Sequence, residues 1–241
     1  MFVLGIDTAT RVAGAAAAGA DRLISERLVH NLQTHSENLI PMISQVMEDA
    51  GLKPSDLDGI AVTGGPGSFT GLRIGMSAAK AMGLALNLPV ISISTLEALA
   101  WNVYRAEGLI CPILDAKKKE VYTCVYRSGA KGLDEVISPH ALSLEELIVR
   151  LEQLGADKVH FLGDGVPVFG ESIKAALGER ALFVPMINAY PRAGAVAELG
   201  LAKLQSGFVQ DSTLLQPVYL RRSEAEITWE QKQAKACEGG Q

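Results

Sequence analysis

The chain has 241 residues, of which 48% are hydrophobic and 20% are charged, and its net charge is −5. Folding a chain of this length buries roughly 70–75% of the surface of the unfolded chain, so a sizeable core can form. The composition is too apolar for a disordered chain. A protein that binds a nucleic-acid backbone unaided usually carries a basic field, so we expect this acidic chain to share any work on RNA with a partner.

Three cysteines without a C-x-x-C motif predict neither a disulfide framework nor a zinc site. The four histidines lack metal-ligand spacing, so no metal site is predicted. The N-terminal residues have no basic segment and reach an acid at Asp7, so we expect no signal peptide. The most apolar stretch, residues 72–93, contains Arg73, Lys80 and Pro89, which favours a helix and a strand over a membrane span. We expect a cytoplasmic protein.

In chain order, the first half predicts three strands followed by alternating helices and strands. Thr34 and Ser94 are each followed three residues later by a glutamate, which is typical of a capped helix start. The helix after Thr34 ends at Gly51, and the helix after Ser94 runs to about residue 106. A further helix is predicted at residues 71–86, and strands at residues 2–6, 12–18, 23–29, 59–63 and 90–93.

The second half predicts the same order of elements. Strands are expected at residues 109–114, 121–126, near 136, at 159–163 and at 182–184, with helices at 143–154, 166–177 and 191–206. Asp7 and Asp115 end the first strand of each half. Such an architectural repeat predicts an α/β fold with two lobes, each with a mixed five-stranded sheet and helices, on either side of a cleft.

A glycine-rich loop at residues 64–75 follows a predicted strand and opens a helix. Its glycines permit close approach of another backbone, and the helix start offers free amides to an anion, but a tight turn without a ligand fits equally well. From Gly71 onward, Gly75, Ala79 and Gly83 recur every four residues. This stripe permits another element to pack closely, either inside the monomer or on a partner chain.

Two predicted hairpins begin with an acid at a strand end. In the actin-like ATPase and sugar-kinase architecture, two such hairpin loops face the phosphates of a nucleotide, and a glycine usually follows the first acid. This chain has no glycine there, so nucleotide binding is plausible and efficient hydrolysis is not. The candidate nucleotide-facing residues are Asp7, Thr8 and Asp115, with Gly163 and Gly165 at the adenosine side.

Five stretches carry a resemblance to a known family. They are GIDTAT at 5–10, GGPGSFTGLRIG at 64–75, ISTLEALA at 93–100, LDAKKKEVY at 114–122 and PVYLRR at 217–222. Together they closely resemble the bacterial TsaB (YeaZ) family, and the match spans essentially residues 1–222. The resemblance implies the duplicated actin-like ATPase (ASKHA) fold and a role in forming N6-threonylcarbamoyladenosine at position 37 of tRNAs that read ANN codons.

The resemblance also implies the partners. Members of the family bind the related TsaD, which carries the transfer chemistry, and help recruit the ATPase TsaE. The tRNA is then met only through the complex, and ATP or ADP belongs to the complex, so this chain has no cofactor of its own. Without TsaD, a homodimer is the expected state.

One departure from TsaD bears on activity. The TsaD metal motif His-Met-Glu-Gly-His falls on residues 95–99 of this chain, where Thr95 and Leu99 replace the histidines. Two histidines four residues apart on a helix can hold a metal, and Thr95 and Leu99 cannot. The resemblance therefore implies a non-catalytic scaffold subunit, with no catalytic residue and no metal ligand.

The resemblance assigns the partner interface to two helices of the first lobe. The expected interface residues are Leu39, Ile40, Ile43, Gly75, Met76, Ala79 and Gly83. The expected domains are an N-terminal lobe at 1–106, a C-terminal lobe at 107–222 and a polar, flexible tail at 223–241. Two alternatives stay open: an ATP-dependent small-molecule kinase, based on the paired Asp7 and Asp115, and a metallopeptidase, based only on earlier descriptions of the superfamily.

Overall fold

The computed structural model describes residues 1–31, 34–130, 132–208 and 215–221. The predicted tail at 223–241 lies outside the described residues. The strands are β1 (Phe2–Asp7), β2 (Ala13–Gly19), β3 (Leu23–Val29), β4 (Gly59–Gly65), β5 (Val90–Ser94), β6 (Leu109–Asp115), β7 (Glu120–Ser128), β8 (Leu133–Ser143), β9 (Val159–Leu162) and β10 (Ala181–Phe183). The α-helices are α1 (His35–Asp49), α2 (Phe69–Leu86), α3 (Thr95–Trp101), α4 (Leu144–Gln153), α5 (Val166–Leu177) and α6 (Ala193–Gln205).

Capping residues stand at the starts of α1, α3 and α4, and two of them are the predicted Thr34 and Ser94. The Thr34 amide donates to Glu37 Oε2 at 2.8 Å, which completes a capping box. The Ser94 and Ser143 hydroxyls accept bonds from the amides three residues further on, at 3.4 Å and 3.2 Å. The local sequence therefore sets these helix starts.

Two of the predicted helix boundaries differ from the structure for identifiable reasons. Helix α2 begins at Phe69, two residues early, because the Ser68 hydroxyl accepts the Gly71 amide at 3.2 Å. Helix α3 ends at Trp101 and not near residue 106, and Arg105 then adopts a left-handed φ of 73° that the helix cannot continue through.

The two halves form two five-stranded sheets of the same topology. The strand orders are β3-β2-β1-β4-β5 and β8-β7-β6-β9-β10. In each sheet the second strand in chain order lies antiparallel between the first and the third, and the last two strands run parallel to the first. The duplicated α/β architecture predicted from the sequence is confirmed.

Helix α6 comes from the second half of the chain but packs on the first sheet, across β1, β2 and β4. Its close approach requires glycine at position 5, since a Cβ there would collide with the Ala193 carbonyl. Strand β2 contains only alanine and glycine and is buried throughout, because α1 and α6 both pack on it. The predicted second lobe, residues 107–222, thus contributes a helix to the first sheet.

The hydrophobic core extends between the halves through α3. Leu96, Leu99 and Ala100 of this helix are fully buried and pack with residues of the second sheet, including Ile110 and Tyr126. No helix within the described residues is long and apolar enough to cross a membrane.

Candidate functional site: the first-lobe helix surface and the hairpin loops

The glycine-rich loop between β4 and α2 is packed against the loop that follows β1. The Ser68 amide donates to the Ala9 carbonyl at 2.7 Å. A Cβ on Gly67 would collide with the same carbonyl, and a Cβ on Gly71 would collide with the Thr8 carbonyl. These glycines therefore permit two loops of one chain to touch, which favours the tight-turn interpretation of this motif.

Asp7, at the end of β1, is completely buried. Its Oδ1 accepts a bond from the Ala9 amide at 3.1 Å, whereas its Oδ2 and the Thr63 hydroxyl have no hydrogen-bond partner among the described residues. Burial raises the pKa of Asp7 to about 6, although the hydrogen bond from the Ala9 amide and the charge of His35 act to lower it. The carboxyl group thus lies inside the lobe.

Thr8 is also fully buried, and it faces α2. Its hydroxyl donates to the Gly71 carbonyl at 2.7 Å. A Cβ on Gly75 would collide with the same hydroxyl oxygen. The Thr8 side chain therefore fills the space between the loop after Asp7 and α2. A loop that wraps a phosphate would need glycine at this place.

Asp115, the counterpart of Asp7 in the second half, is bound by the lysine turn that follows it. Its Oδ2 lies 2.6 Å from Lys117 Nζ, and its amide donates to Asp164 Oδ1 at 3.0 Å. Partial burial acts to raise the pKa of Asp115, but the bonds and charge of Lys117 and the charge of Arg11 outweigh it and hold the pKa below its usual range. Arg11 follows β1, so the two hairpin loops lie within electrostatic reach of each other.

The turn around Gly163 and Gly165 packs on β6. The Gly165 amide donates to the Ile113 carbonyl at 3.1 Å, and a Cβ on Gly163, which has a φ of 114°, would collide with that carbonyl. Asp115 and this turn are brought together, while Asp7 is buried in the lobe and Thr8 contacts α2. Nucleotide contact by these five residues stays a prediction.

The small-residue stripe of α2 points into its own lobe. Ala79 is completely buried and Met76 is 3% exposed, while a Cβ on Gly83 would collide with Val90 of β5. On α1, Leu39 and Ile43 are buried in the same core. These residues, with Gly75, are covered by other parts of the same lobe, and their contact with a partner stays a prediction. Of the predicted interface residues, Ile40 is exposed, at 56%.

The outer sides of α1 and α2 form an apolar groove of about 540 Å³. Its lining includes Ile40 of α1 and Phe69, Arg73, Ile74 and Ala78 of α2. We call this feature the α1–α2 groove. It is not lined by any of the candidate nucleotide-facing residues.

An aromatic and cationic cluster lies at one end of the α1–α2 groove. The Arg73 guanidinium lies 3.9 Å from the centroid of the Phe69 ring and donates to the Tyr219 hydroxyl at 3.2 Å. The Phe69 and Tyr219 ring centroids are 4.9 Å apart. Tyrosine and arginine are enriched among the residues that dominate binding energy at protein interfaces.

The C-terminal segment that carries Tyr219 joins both halves, and reasoning from single residues missed its role. Leu215 is 2% exposed in the core of the first lobe, and the Val218 amide donates to the Gly64 carbonyl at 2.7 Å. Arg221 then reaches Glu120 of β7 at 3.3 Å. Leu215, an apolar residue after a polar stretch, was the available signal.

Comparison with known proteins assigns the chain to a family. The tRNA threonylcarbamoyladenosine biosynthesis protein TsaB of Bacillus subtilis is 33% identical over 97% of this chain and 100% of its own length. A family model described as TsaD, tRNA N6-adenosine threonylcarbamoyltransferase, matches residues 30–229. The chain belongs to the TsaB family.

Solved structures agree with this TsaB assignment. YeaZ from Pseudomonas aeruginosa is 26% identical, with a TM-score of 0.77 over 91% of this chain and 99% of its own. An inorganic polyphosphate/ATP-glucomannokinase from Arthrobacter is 14% identical, with a TM-score of 0.51 over 83% of this chain and 99% of its own. The latter likeness shows the fold alone, and the duplicated actin-like architecture is confirmed.

In this TsaB chain, the two positions expected to match the TsaD histidines are buried in α3. Thr95 and Leu99 are both 0% exposed, and Leu99 packs with Ile110 and Leu114 of the second sheet. The described part of the chain contains no group of three or more histidine, cysteine or acidic side chains placed to hold a metal ion.

Proposed function

We propose that this chain is a non-catalytic subunit of the complex that forms N6-threonylcarbamoyladenosine at position 37 of tRNAs reading ANN codons. In this role it binds TsaD and helps to recruit TsaE. The observation that carries the proposal is the 33% identity to a TsaB protein over essentially the whole of both chains.

The buried state of the candidate reactive positions supports a role without chemistry. Leu99 fills the core where the TsaD motif has a histidine, and Thr8 fills the loop where a kinase would wrap a phosphate. No observation on the described residues favours the kinase or the metallopeptidase. The chain then needs no cofactor of its own, and ATP or ADP is handled by the complex.

The α1–α2 groove is the surface we propose for TsaD. It is largely apolar, it lies between two helices that contact each other, and its rim carries the Phe69, Arg73 and Tyr219 cluster. Helices of a related lobe can pack into such a groove by the same ridges-into-grooves geometry that operates inside proteins. In the absence of TsaD, the same groove serves a homodimer.

The first experiment mixes the chain with TsaD from the same source and measures mass by size exclusion with light scattering. A one-to-one heterodimer is expected to replace the homodimer. Ile40→Glu places a charge in the groove without disturbing the core, and is expected to weaken association roughly tenfold or more. Val168→Glu is the matched control, since Val168 is 60% exposed on α5 of the other half.

Separate elution of the two wild-type chains at micromolar concentration would reject the scaffold role. Equal loss of association in the Ile40 and Val168 variants would reject the groove as its site. Saturable ATP turnover by the isolated chain, lost on Asp7→Ala, would instead establish the kinase.

A further inference from the structure

A cleft of about 390 Å³ lies between the β2–β3 turn, the end of α3 and one side of α6. Ala18 of β2 and Ala195 and Leu201 of α6 line it, and each is at most 8% exposed. Leu23 of β3 and Trp101 of α3 add larger apolar surfaces. We call this feature the hairpin–α6 cleft. It shares no lining residue with the α1–α2 groove, and its volume and mixed lining are typical of small-molecule sites.

The indole ring of Trp101 is fixed in the hairpin–α6 cleft by two contacts. Its Nε1 donates to Glu198 Oε2 at 3.0 Å, and both residues line the cleft. Tyr104 stacks on one face of the indole, with the ring centroids 4.5 Å apart, and is not a lining residue. The indole therefore meets the cleft with its other face or its edge. An aromatic ring held in this way offers a large contact area to a ligand at little cost in conformational freedom.

Charges of both signs line the hairpin–α6 cleft, and several of them are unmatched. Asp21 and Arg22 are consecutive in the β2–β3 turn, and among the described residues neither side chain makes an ion pair or a hydrogen bond. Glu198 uses one carboxylate oxygen for Trp101, and its Oε1 has no bond within the same part of the chain. The cleft thus offers one unmatched cation and two acids with open capacity.

The other polar groups of the hairpin–α6 cleft hold its sides in place. Glu26 is 7% exposed and accepts bonds from the Arg192 guanidinium and from the Gly194 amide at 2.9 Å. Asn102 donates through Nδ2 to two carbonyls of the segment before α6, at 3.1 Å and 2.7 Å. These contacts join β3 and the end of α3 to the start of α6, so the shape of the cleft is set before any ligand binds.

The unmatched charges decide which class of ligand fits. A ligand with positive charge alone would be repelled by Arg22, and one with negative charge alone would be repelled by Asp21 and Glu198. A zwitterion matches both signs, since a carboxylate accepts bonds from a guanidinium and an ammonium group donates to carboxylates. The apolar lining and the indole favour an apolar side chain on such a ligand. An α-amino acid with a large apolar side chain has all three features.

We propose that the hairpin–α6 cleft binds an α-amino acid with an aromatic or branched apolar side chain. Its carboxylate lies on Arg22, its ammonium group on Asp21 and Glu198, and its side chain against Trp101 and the apolar lining. The cleft belongs to the isolated chain, so the inference does not depend on the proposed function. Because its lining comes from the β2–β3 hairpin, α3 and α6, an occupied cleft is expected to stabilise the attachment of α6 to the first sheet.

The test titrates the isolated full chain with L-phenylalanine and with L-leucine by calorimetry, and follows the indole N–H signal of Trp101 by NMR. The Trp101→Phe variant identifies that signal. Binding is expected with a Kd of about 0.1–1 mM, and the Trp101 signal should shift with the same saturation. N-acetyl-L-phenylalanine lacks the ammonium group and L-phenylalanine amide lacks the carboxylate, so each should bind about tenfold more weakly or worse.

Two variants remove the charges that face the ligand. Arg22→Gln and Glu198→Gln are each expected to weaken binding about fivefold or more, and glutamine at 198 still offers an acceptor to the Trp101 indole. Arg127→Gln and Glu171→Gln are the matched controls. Both residues are exposed in the second half and have no ion pair among the described residues, so these variants should bind within about twofold of wild type.

Three outcomes would overturn the inference. The first is no binding of either amino acid up to about 10 mM. The second is equal binding of the two blocked analogues, which would mean that the unmatched charges do not select the ligand. The third is an unchanged Trp101 signal, or an equal loss in the control variants, which would place the ligand elsewhere. Failure of the chain to associate with TsaD would change none of these results, so the two proposals are tested separately.

Discussion

The Thr8 hydroxyl donates a hydrogen bond of 2.7 Å to the Gly71 carbonyl, which ties the end of the first strand to the first turn of α2. Both groups are buried. In a nucleotide-binding lobe of this architecture, the same loop would need free backbone amides. The bond therefore links the glycine-rich loop to the stability of the lobe.

Gly71→Ala is expected to destabilise the protein by about 2–3 kcal/mol, because the new Cβ would collide with the backbone carbonyl of Thr8 and one of the two elements must shift. The measurement is urea unfolding followed by circular dichroism. Gly170→Ala is the control, since it lies in α5 and its Cβ would make only an ordinary contact with Phe183 at 3.6 Å. The free energy of unfolding of Gly170→Ala should rise by about 0.5–1 kcal/mol, since alanine is favoured over glycine inside a helix. Equal effects of the two variants would contradict the close approach.

The buried Asp7 predicts a pH dependence of stability. Its pKa in the folded state, about 6, lies above the ordinary 3.8, so the folded state holds the proton more tightly than the unfolded state. Asp7 contributes most to the free energy of unfolding below about pH 4, where it is protonated in both states. This contribution is lost as the pH rises through 6, and the loss is about 3 kcal/mol at most. Asp7→Asn removes this dependence, and its amide offers a donor to the Thr63 hydroxyl, which has no partner among the described residues.

We therefore expect Asp7→Asn to be more stable than wild type at pH 7 and to lose that advantage near pH 4. Urea unfolding at both pH values measures the difference. Asp21→Asn, at an exposed turn, controls for the loss of one acid. An advantage of Asp7→Asn that did not vary with pH would show that the carboxyl group is not kept protonated by burial.

Local signals in the sequence were sufficient for most of the fold. The capping pairs at Thr34 and Ser94 and the repeated order of elements depend on neighbours within a few residues, so both sheets could be predicted. The position of α6 could not, because its close approach depends on Gly5, which is 188 positions before Ala193 and shares no pattern with it. The small residues of β1 and α6 can be matched to each other only when the folded structure is known.

The residues predicted for a partner surface lie largely on the buried faces of α1 and α2. A repeat of small residues every four positions indicates that something approaches closely, but it does not identify what approaches. Here Thr8 and Val90 of the same chain meet Gly75 and Gly83, so the stripe is internal. The position of Tyr219 at the groove could not be predicted either, because Tyr219 belongs to a segment that is distant in sequence from α2.

Leu215 predicts a structural role for the C-terminal segment. Leu215→Ala is expected to destabilise the protein by about 2–4 kcal/mol, since the side chain is 2% exposed in the first core and its carbonyl accepts Lys80 Nζ at 3.1 Å. Val218→Ala, at a side chain 54% exposed in the same segment, should cost less than about 0.5 kcal/mol. Thermal unfolding of both variants provides the comparison. A similarly small decrease of the unfolding midpoint temperature for each would mean that the C-terminal segment contributes little to stability.

Glu26 links the start of α6 to the first sheet. Its side chain is 7% exposed, and it accepts bonds from the Arg192 guanidinium and from the Gly194 amide at 2.9 Å. Glu26→Gln removes the charge that Arg192 needs and is expected to cost about 2–3 kcal/mol of unfolding free energy. Asp49→Asn breaks the exposed pair with Arg27 and should cost less than about 1 kcal/mol. Since α6 covers β1 and β2, a cost for Glu26→Gln no larger than that for Asp49→Asn would mean that apolar packing alone holds this helix in place.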